Sequence, residues 1–156
     1  MDRLRSLSRA LTPGALTILR VVVGFVLLVH GWMKLTSFEA WRGMVADLGV
    51  PAPDVFAAFS TAAELGGGIG LMLGLLTPIA ALAVLVNMIV AILLVHADAG
   101  LLAAEGGFEY PLVLALVALF FLVRGAGPAS VDALIFRRRP ERERGAVRPF
   151  REEAPA

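Results

Sequence analysis

Residues 65 to 95 read LGGGIGLMLGLLTPIAALAVLVNMIVAILLV, and no charged side chain of either sign occurs among them. A helix needs about 20 predominantly apolar residues to cross the hydrocarbon core of a bilayer. The run is too long for one crossing and is read as two, divided at Thr77-Pro78. Threonine caps helix starts, and proline suits the first helical position, where its missing N–H would have no partner in any case. The remainder of the chain has the same character. Of its 156 residues 58% are hydrophobic and 17% charged, a balance that excludes an ordinary soluble domain. Most basic residues stand before residue 21 or after residue 123.

Working outward, four spans are expected, at about 13–35, 55–76, 78–96 and 109–124. Thr12-Pro13, Asp54 and the segment from Glu109 to Pro111 supply start signals for the first, second and fourth. Backbone groups in a bilayer must be satisfied internally, so a spanning structure is helical or a closed barrel, and the alternation of a barrel is absent. The expected fold class is therefore all-α: one integral membrane four-helix bundle over residues 13–135 with short loops. It is preceded by a cytoplasmic segment over 1–12 and followed by a basic, disordered cytoplasmic tail over 136–156.

Positive residues favour the cytoplasmic side of a membrane. Arg3, Arg5 and Arg9 precede the first span, and six arginines between Arg137 and Arg148 follow the last. The 35–54 and 97–108 loops carry five acidic residues against Arg42 alone. Both termini are expected in the cytoplasm. The first apolar run has no small-residue cleavage site behind it and is read as an uncleaved anchor. Cysteine is absent, which removes disulfides and thiol chemistry; electron transfer would need a bound cofactor or an external substrate.

The loop after the first span places Phe38, Trp41, Met44, Val45 and Leu48 at helical spacing, the pattern of a short interfacial helix, or of a lid over an outward-opening pocket. In the second span Ala62, Gly66, Gly70 and Gly74 recur every fourth residue, a spacing that admits a close helix neighbour. The same glycines do not make a nucleotide loop, because no strand precedes them. No nucleic-acid partner and no metal site are expected.

Ionisable residues at membrane depth are costly unless they pair or meet water. At 1.5 Å per residue, His30 and Lys34 fall near the outer end of the first span. Glu64 lies in the outer half of the second, His96 ends the third and Glu109 begins the fourth. Arg20, Arg124 and Asp132 form a second group near the inner side, with Asn87 close to mid-depth. His30 and Lys34, four apart, share a helix face. Asn87 and His96, nine apart, are half a turn out of phase in an α-helix and are not expected to point at one spot. A Lys34–Glu64 ion pair is the simplest structural account of the outer group.

The order of these residues resembles one family. Arg20, His30-Gly31 and Lys34 are followed by Glu64-Leu65-Gly66-Gly67, Gly70 and Gly74-Leu75-Leu76-Thr77. Asn87-Met88, His96, Gly106-Gly107-Phe108-Glu109-Tyr110, Gly125-Ala126-Gly127-Pro128 and Ser130-Val131-Asp132 come after them. From about residue 16 to 135 this pattern is similar to the DoxX family of small four-helix membrane proteins. The resemblance implies a multi-pass protein of the bacterial inner membrane. The family takes its name from a terminal or thiosulfate:quinone oxidoreductase subunit, and some members are associated with membrane-attached sulfur and oxidative-stress enzymes.

The expected function is a membrane subunit that binds a quinone or similar small molecule in the outer pocket and supports a partner oxidoreductase. In that reading His30 and Lys34 hydrogen-bond a carbonyl or anionic oxygen, Glu64 and Glu109 accept or relay protons, and His96 supplies a second donor. Two alternatives stand beside it. One is a non-catalytic scaffold whose basic tail recruits a cytoplasmic partner or anionic lipid, with a homo-oligomer as the other association considered. The other is a haem protein with His30 and His96 as axial ligands.

Overall fold

A computed structural model describes residues 2–136, with side chains from residue 11 onward. The tail sequence from residue 137, the Arg3, Arg5 and Arg9 side chains, and what was expected of them lie outside the described residues. Every regular element among the described residues is helical. The order is α1 (Asp2–Thr36), α2 (Phe38–Asp47), α3 (Pro53–Leu73), α4 (Thr77–Ala91), a π turn (Ile92–His96), two short 3₁₀ turns, α5 (Glu109–Arg124) and α6 (Val131–Ile135).

Among the described residues three segments are long and apolar enough to cross a membrane: Leu11–Thr36, Pro53–Leu73 and Thr77–Ala99. The fourth expected span coincides with α5, which has 16 residues. At 1.5 Å per residue it reaches about 24 Å, short of the roughly 30 Å hydrocarbon thickness.

Two start signals act differently from the expectation. Pro13 does not begin α1 but lies inside it, removing one i→i−4 hydrogen bond without ending the helix. Thr77 is the first residue of α4 rather than its cap, because Leu76, in the left-handed region at φ +47°, takes the cap position.

One core is drawn from four helices: Val23 and Leu27 of α1, Leu71 of α3, Val84 and Met88 of α4, and Leu114, Ala118 and Phe121 of α5. A smaller cluster of Val45, Val50 and Phe56, with Trp41, Val90 and Val95 against it, fastens α2 to α3 and the end of α4. The outward faces are apolar as well; Ile18, Phe25 and Trp32 on α1 are more than half exposed. In water that surface would be a liability, whereas in hydrocarbon it is solvated.

Glycine sets the approach of α1 to α3. A Cβ on Gly24 would stand 2.7 Å from the Gly68 carbonyl oxygen, and one on Gly68 would stand 2.7 Å from the Gly24 carbonyl oxygen. Backbone therefore lies against backbone, as small residues permit in membrane helix pairs. Gly70 similarly meets Ala80 of α4. The four-residue series read from the sequence needs correction. Gly66 has no neighbouring atom within 4 Å of where its Cβ would be; Gly67 and Gly68, one and two positions on, make the close contacts, because the packed face of α3 is turned from the Ala62–Gly66 line. Gly74 ends α3 in the left-handed conformation, φ +64°, where its lack of a Cβ makes room for the Arg20 guanidinium and Ser130.

Candidate functional site

Two polar clusters lie at opposite ends of the core. The first is built on the end of α1. Lys34 Nζ donates to Glu64 Oε1 at 2.6 Å and to Ser60 Oγ at 2.9 Å, while the ammonium stands 4.3 Å from the centroid of the Trp41 ring. Ser60 and Glu64 are one turn apart on α3 and present a single face to α1. Gly31 lets the backbones close there, since a Cβ would stand 2.7 Å from the Leu65 nitrogen. Asn87 Nδ2 donates to the same Oε1 from α4 at 3.2 Å. The Glu64 side chain is 6% exposed and that of Lys34 20%. Short, charge-assisted bonds of this kind are about twice as strong as neutral ones, which offsets part of the cost of burying the carboxylate.

Lys34, Trp41, Ser60 and Glu64 line a cavity of about 380 Å³, whose other walls include Leu27, Phe56, Met88, Val95 and Leu114. His30, His96 and Tyr110 line it too, with the His30 and Tyr110 ring centroids 5.9 Å apart. His96 Nδ1 lies 2.6 Å from the Gly106 carbonyl oxygen. A carbonyl only accepts, so Nδ1 carries the hydrogen and Nε2 is the nitrogen left for another partner. α2 covers the polar end with Trp41 and Met44. Arg42 adds an exposed link, bonding Asp54 at the start of α3 as well as Glu39 on its own helix.

His30, Lys34, Glu64 and His96 thus share one cavity. Glu109 does not line it; its carboxylate accepts from the Ala103 N–H at 2.7 Å and closes the loop before α5. Asn87 and His96 were expected on opposite sides of α4. Asn87 reaches the cluster only through Glu64 and does not line the cavity, whereas His96 lines it from the π turn at Ile92–His96. Ser60 and Trp41 were not anticipated as partners of Lys34. Ser60 had a legible signal, standing four residues before Glu64; Trp41 had none, since its contact depends on the turn at Ser37.

The second cluster is at the other end. Arg20, 2% exposed, donates from Nη1 to the Ala126 carbonyl at 2.6 Å and from Nη2 to that of Ala129 at 2.7 Å. The Asp132 carboxylate accepts from the Leu76 and Thr77 N–H groups at 2.7 and 2.9 Å, and its own N–H donates to the Gly74 carbonyl at 2.8 Å. Burial would raise the Asp132 pKa, but hydrogen bonds from Thr77 and Leu76 and the nearby Arg20 charge bring it below the usual carboxylate value. Arg124 is exposed and lines a separate recess of about 240 Å³ with Thr12, Pro13 and Phe121. No group of three or more metal-ligating side chains occurs among the described residues.

The sequence compared with known families matches the DoxX model over residues 15–97. The chain belongs to the DoxX family. It is 32% identical over 137 residues to an uncharacterized membrane protein, Rv3486, of Mycobacterium tuberculosis, covering 81% of this chain and 84% of that one. It is 29% identical over 121 residues to a Bacillus subtilis protein named "Putative oxidoreductase CatD", covering 77% and 86%. An uncharacterized Haemophilus influenzae protein is 34% identical over 131 residues, covering 81% and 94%. No solved structure matches. The DoxX match includes Lys34, Glu64, Asn87 and His96 and stops before Glu109, Arg124 and Asp132.

Proposed function

We propose that this DoxX-family membrane protein binds a quinone or a similar small molecule in the cavity beside Lys34 and Glu64, as the membrane subunit of an oxidoreductase system. One observation carries the reading: a buried ion pair forms the polar end of a cavity whose other walls are largely apolar and aromatic. Ligand sites are commonly apolar pockets with a few convergent polar groups. The cavity volume of about 380 Å³ falls within the usual range of roughly 300–1,000 Å³ for such sites. Lys34 is compensated by Glu64, so the site carries no net charge for an anionic headgroup to meet. The oxidoreductase name borne by the Bacillus subtilis relative agrees with this class of partner.

A bound quinone would supply the two-electron, two-proton chemistry. This chain's residues bind it, shield it and handle protons. Lys34 and His30 orient an oxygen, Glu64 accepts a proton, and His96 Nε2 offers a further hydrogen-bonding position. Trp41 and Met44 of α2 cover the site. In this reading α5 is a fourth, shorter crossing, both termini are cytoplasmic, and the cavity opens toward the outer leaflet of the bacterial inner membrane. The acidic loops near the cavity and the arginine-rich tail favour that orientation.

The test is extraction of the purified protein for quinone, followed by titration of a short-chain ubiquinone analogue into wild type and Glu64→Gln. Co-purifying quinone, and affinity lowered about tenfold or more in the variant, a change of 1.4 kcal/mol, is the expected result. A quinone-free preparation with the same affinity in both proteins would overturn the proposal.

A further inference from the structure

The hydrogen bonds around Glu64 are incomplete in a specific way. Oε1 accepts twice, from Lys34 Nζ at 2.6 Å and from Asn87 Nδ2 at 3.2 Å. Glu64 Oε2 and Asn87 Oδ1 are both buried and have no partner. Glu64 is 5% exposed and Asn87 fully buried. Leaving such a group unpaired costs about 1–3 kcal/mol, more for a charged one, and the great majority of buried polar groups are paired. Here two orphaned atoms belong to two side chains that are already joined by a hydrogen bond between their other ends.

Both orphans are acceptors, so neither can satisfy the other as the groups stand. One added proton changes that. A carboxylic acid and a primary amide are complementary: the amide N–H donates to one carboxyl oxygen, and the hydroxyl of the acid donates to the amide oxygen. The first of those two bonds is present. The second needs a hydrogen on Oε2, and forming it would give both unpartnered atoms a partner at once.

We infer that Glu64 is a proton-holding site whose neutral form is held by Asn87, so that the carboxyl alternates between an ion pair with Lys34 and an acid–amide pair with Asn87. Asn87 is a positioning residue, acting through Glu64. The other polar and aromatic groups that line the same cavity are Lys34 and His30 on α1, Trp41 on α2, Ser60 on α3, His96 after α4 and Tyr110 on α5. Of these, Lys34 alone makes an ion pair with it. Proton gain at Glu64 releases the Lys34 ammonium, whose remaining partners are Ser60 Oγ and the Trp41 ring. The proton balance is simple: one proton enters on Oε2, from water at the cavity mouth or from a ligand hydroxyl, and leaves by the same route. The inference rests on the ligand reading only for that second source.

Infrared difference spectroscopy on the full-length protein in detergent, without ligand, tests it. On acidification, subtracting Glu64→Gln from wild type should leave one protonated-carboxyl C=O band, sensitive to deuterium exchange. In Asn87→Leu the band should move to higher frequency, because the acid loses its acceptor. Should Asn87→Leu fail to fold, Asn87→Ala serves instead, and the same upward shift of the Glu64 band is expected. Absence of a Glu64 band wherever the protein remains folded, or an unchanged frequency in Asn87→Leu, would overturn the inference. Quinone binding without the band removes the proton site and keeps the ligand reading. The band without quinone binding does the reverse.

Discussion

Lys34 Nζ stands 2.6 Å from Glu64 Oε1, and the two ends of this pair are unequally buried: 20% of the lysine side chain is exposed against 6% of the glutamate. The inequality predicts an asymmetric response to mutation. Removing one partner of a buried pair typically costs about 3–5 kcal/mol, because the other charge is left stranded. Lys34→Met strands a buried carboxylate and should approach that cost. Glu64→Gln leaves a lysine whose long stem can carry its charge to water, and should cost distinctly less. The double variant should be closer to wild type than Lys34→Met is. Thermal unfolding of the four proteins in one detergent measures the order, and equal losses for the two single variants would contradict it.

Asp132→Asn should weaken the start of α4, by the roughly 1 kcal/mol of a helix cap. The effect depends on pH with a defined sign. The folded-state pKa of Asp132 lies below its ordinary 3.8, so the folded protein binds this proton less readily than the unfolded chain does. The carboxylate's contribution is complete above the unfolded value, about 3.9, and is lost as pH falls through the lower folded value. The difference in melting temperature between wild type and Asp132→Asn should be constant from pH 6 to about 5 and shrink below about pH 4.

Gly68→Ala and Gly24→Ala should be severely destabilising. The added methyl meets backbone atoms of the opposing helix at 2.7 Å in both cases, and backbone cannot turn aside as a side chain can. Gly66→Ala, on the same helix but facing open space, should be neutral within about 1 kcal/mol, the scale of a glycine-to-alanine change in a helix. A comparable loss in all three would mean that α3 packs by a different face.

The two tryptophans allow occupancy of the cavity to be read without a label. Trp41 lines the cavity, and Trp32 faces outward, 59% exposed. A quinone that enters should quench, as an electron acceptor, the emission of the Trp32→Phe variant, in which Trp41 remains, and leave that of Trp41→Phe nearly unchanged. Equal quenching in both would place the ligand in the detergent or on the outer surface.

What could be read from the sequence was what depends on depth and local spacing. Hydropathy located the long apolar helices because each must present an apolar surface along its whole length. The pairing of Lys34 with Glu64 was legible because lysine and glutamate at one depth have few other ways to be tolerated. The failures share a physical cause, a change of helical phase or a contact from far along the chain. Thr77 was read as a cap because a local threonine is visible in sequence, whereas a carboxylate at position 132 is not. Glu109 shared the depth of the cavity but spent its hydrogen-bonding capacity on the backbone of Ala103, a competition that depth does not reveal. Gly66 fell on a four-residue line that the packed face of α3 does not follow.

The cap on α4 also bears on the order in which the molecule can be completed. Asp132 follows the two N–H groups it satisfies by 56 and 55 positions, and the carbonyls that hold Arg20 follow that arginine by 106 and 109. Synthesis proceeds from the amino terminus, so α1, α3 and α4 all leave the ribosome before any of these partners exists. A nascent chain halted near residue 120 would already contain Lys34, Glu64, Asn87 and His96, yet its buried arginine would lack both carbonyl acceptors. The segment over residues 125–130 therefore completes the pairing of Arg20, and a chain that stops before it leaves that guanidinium without either carbonyl.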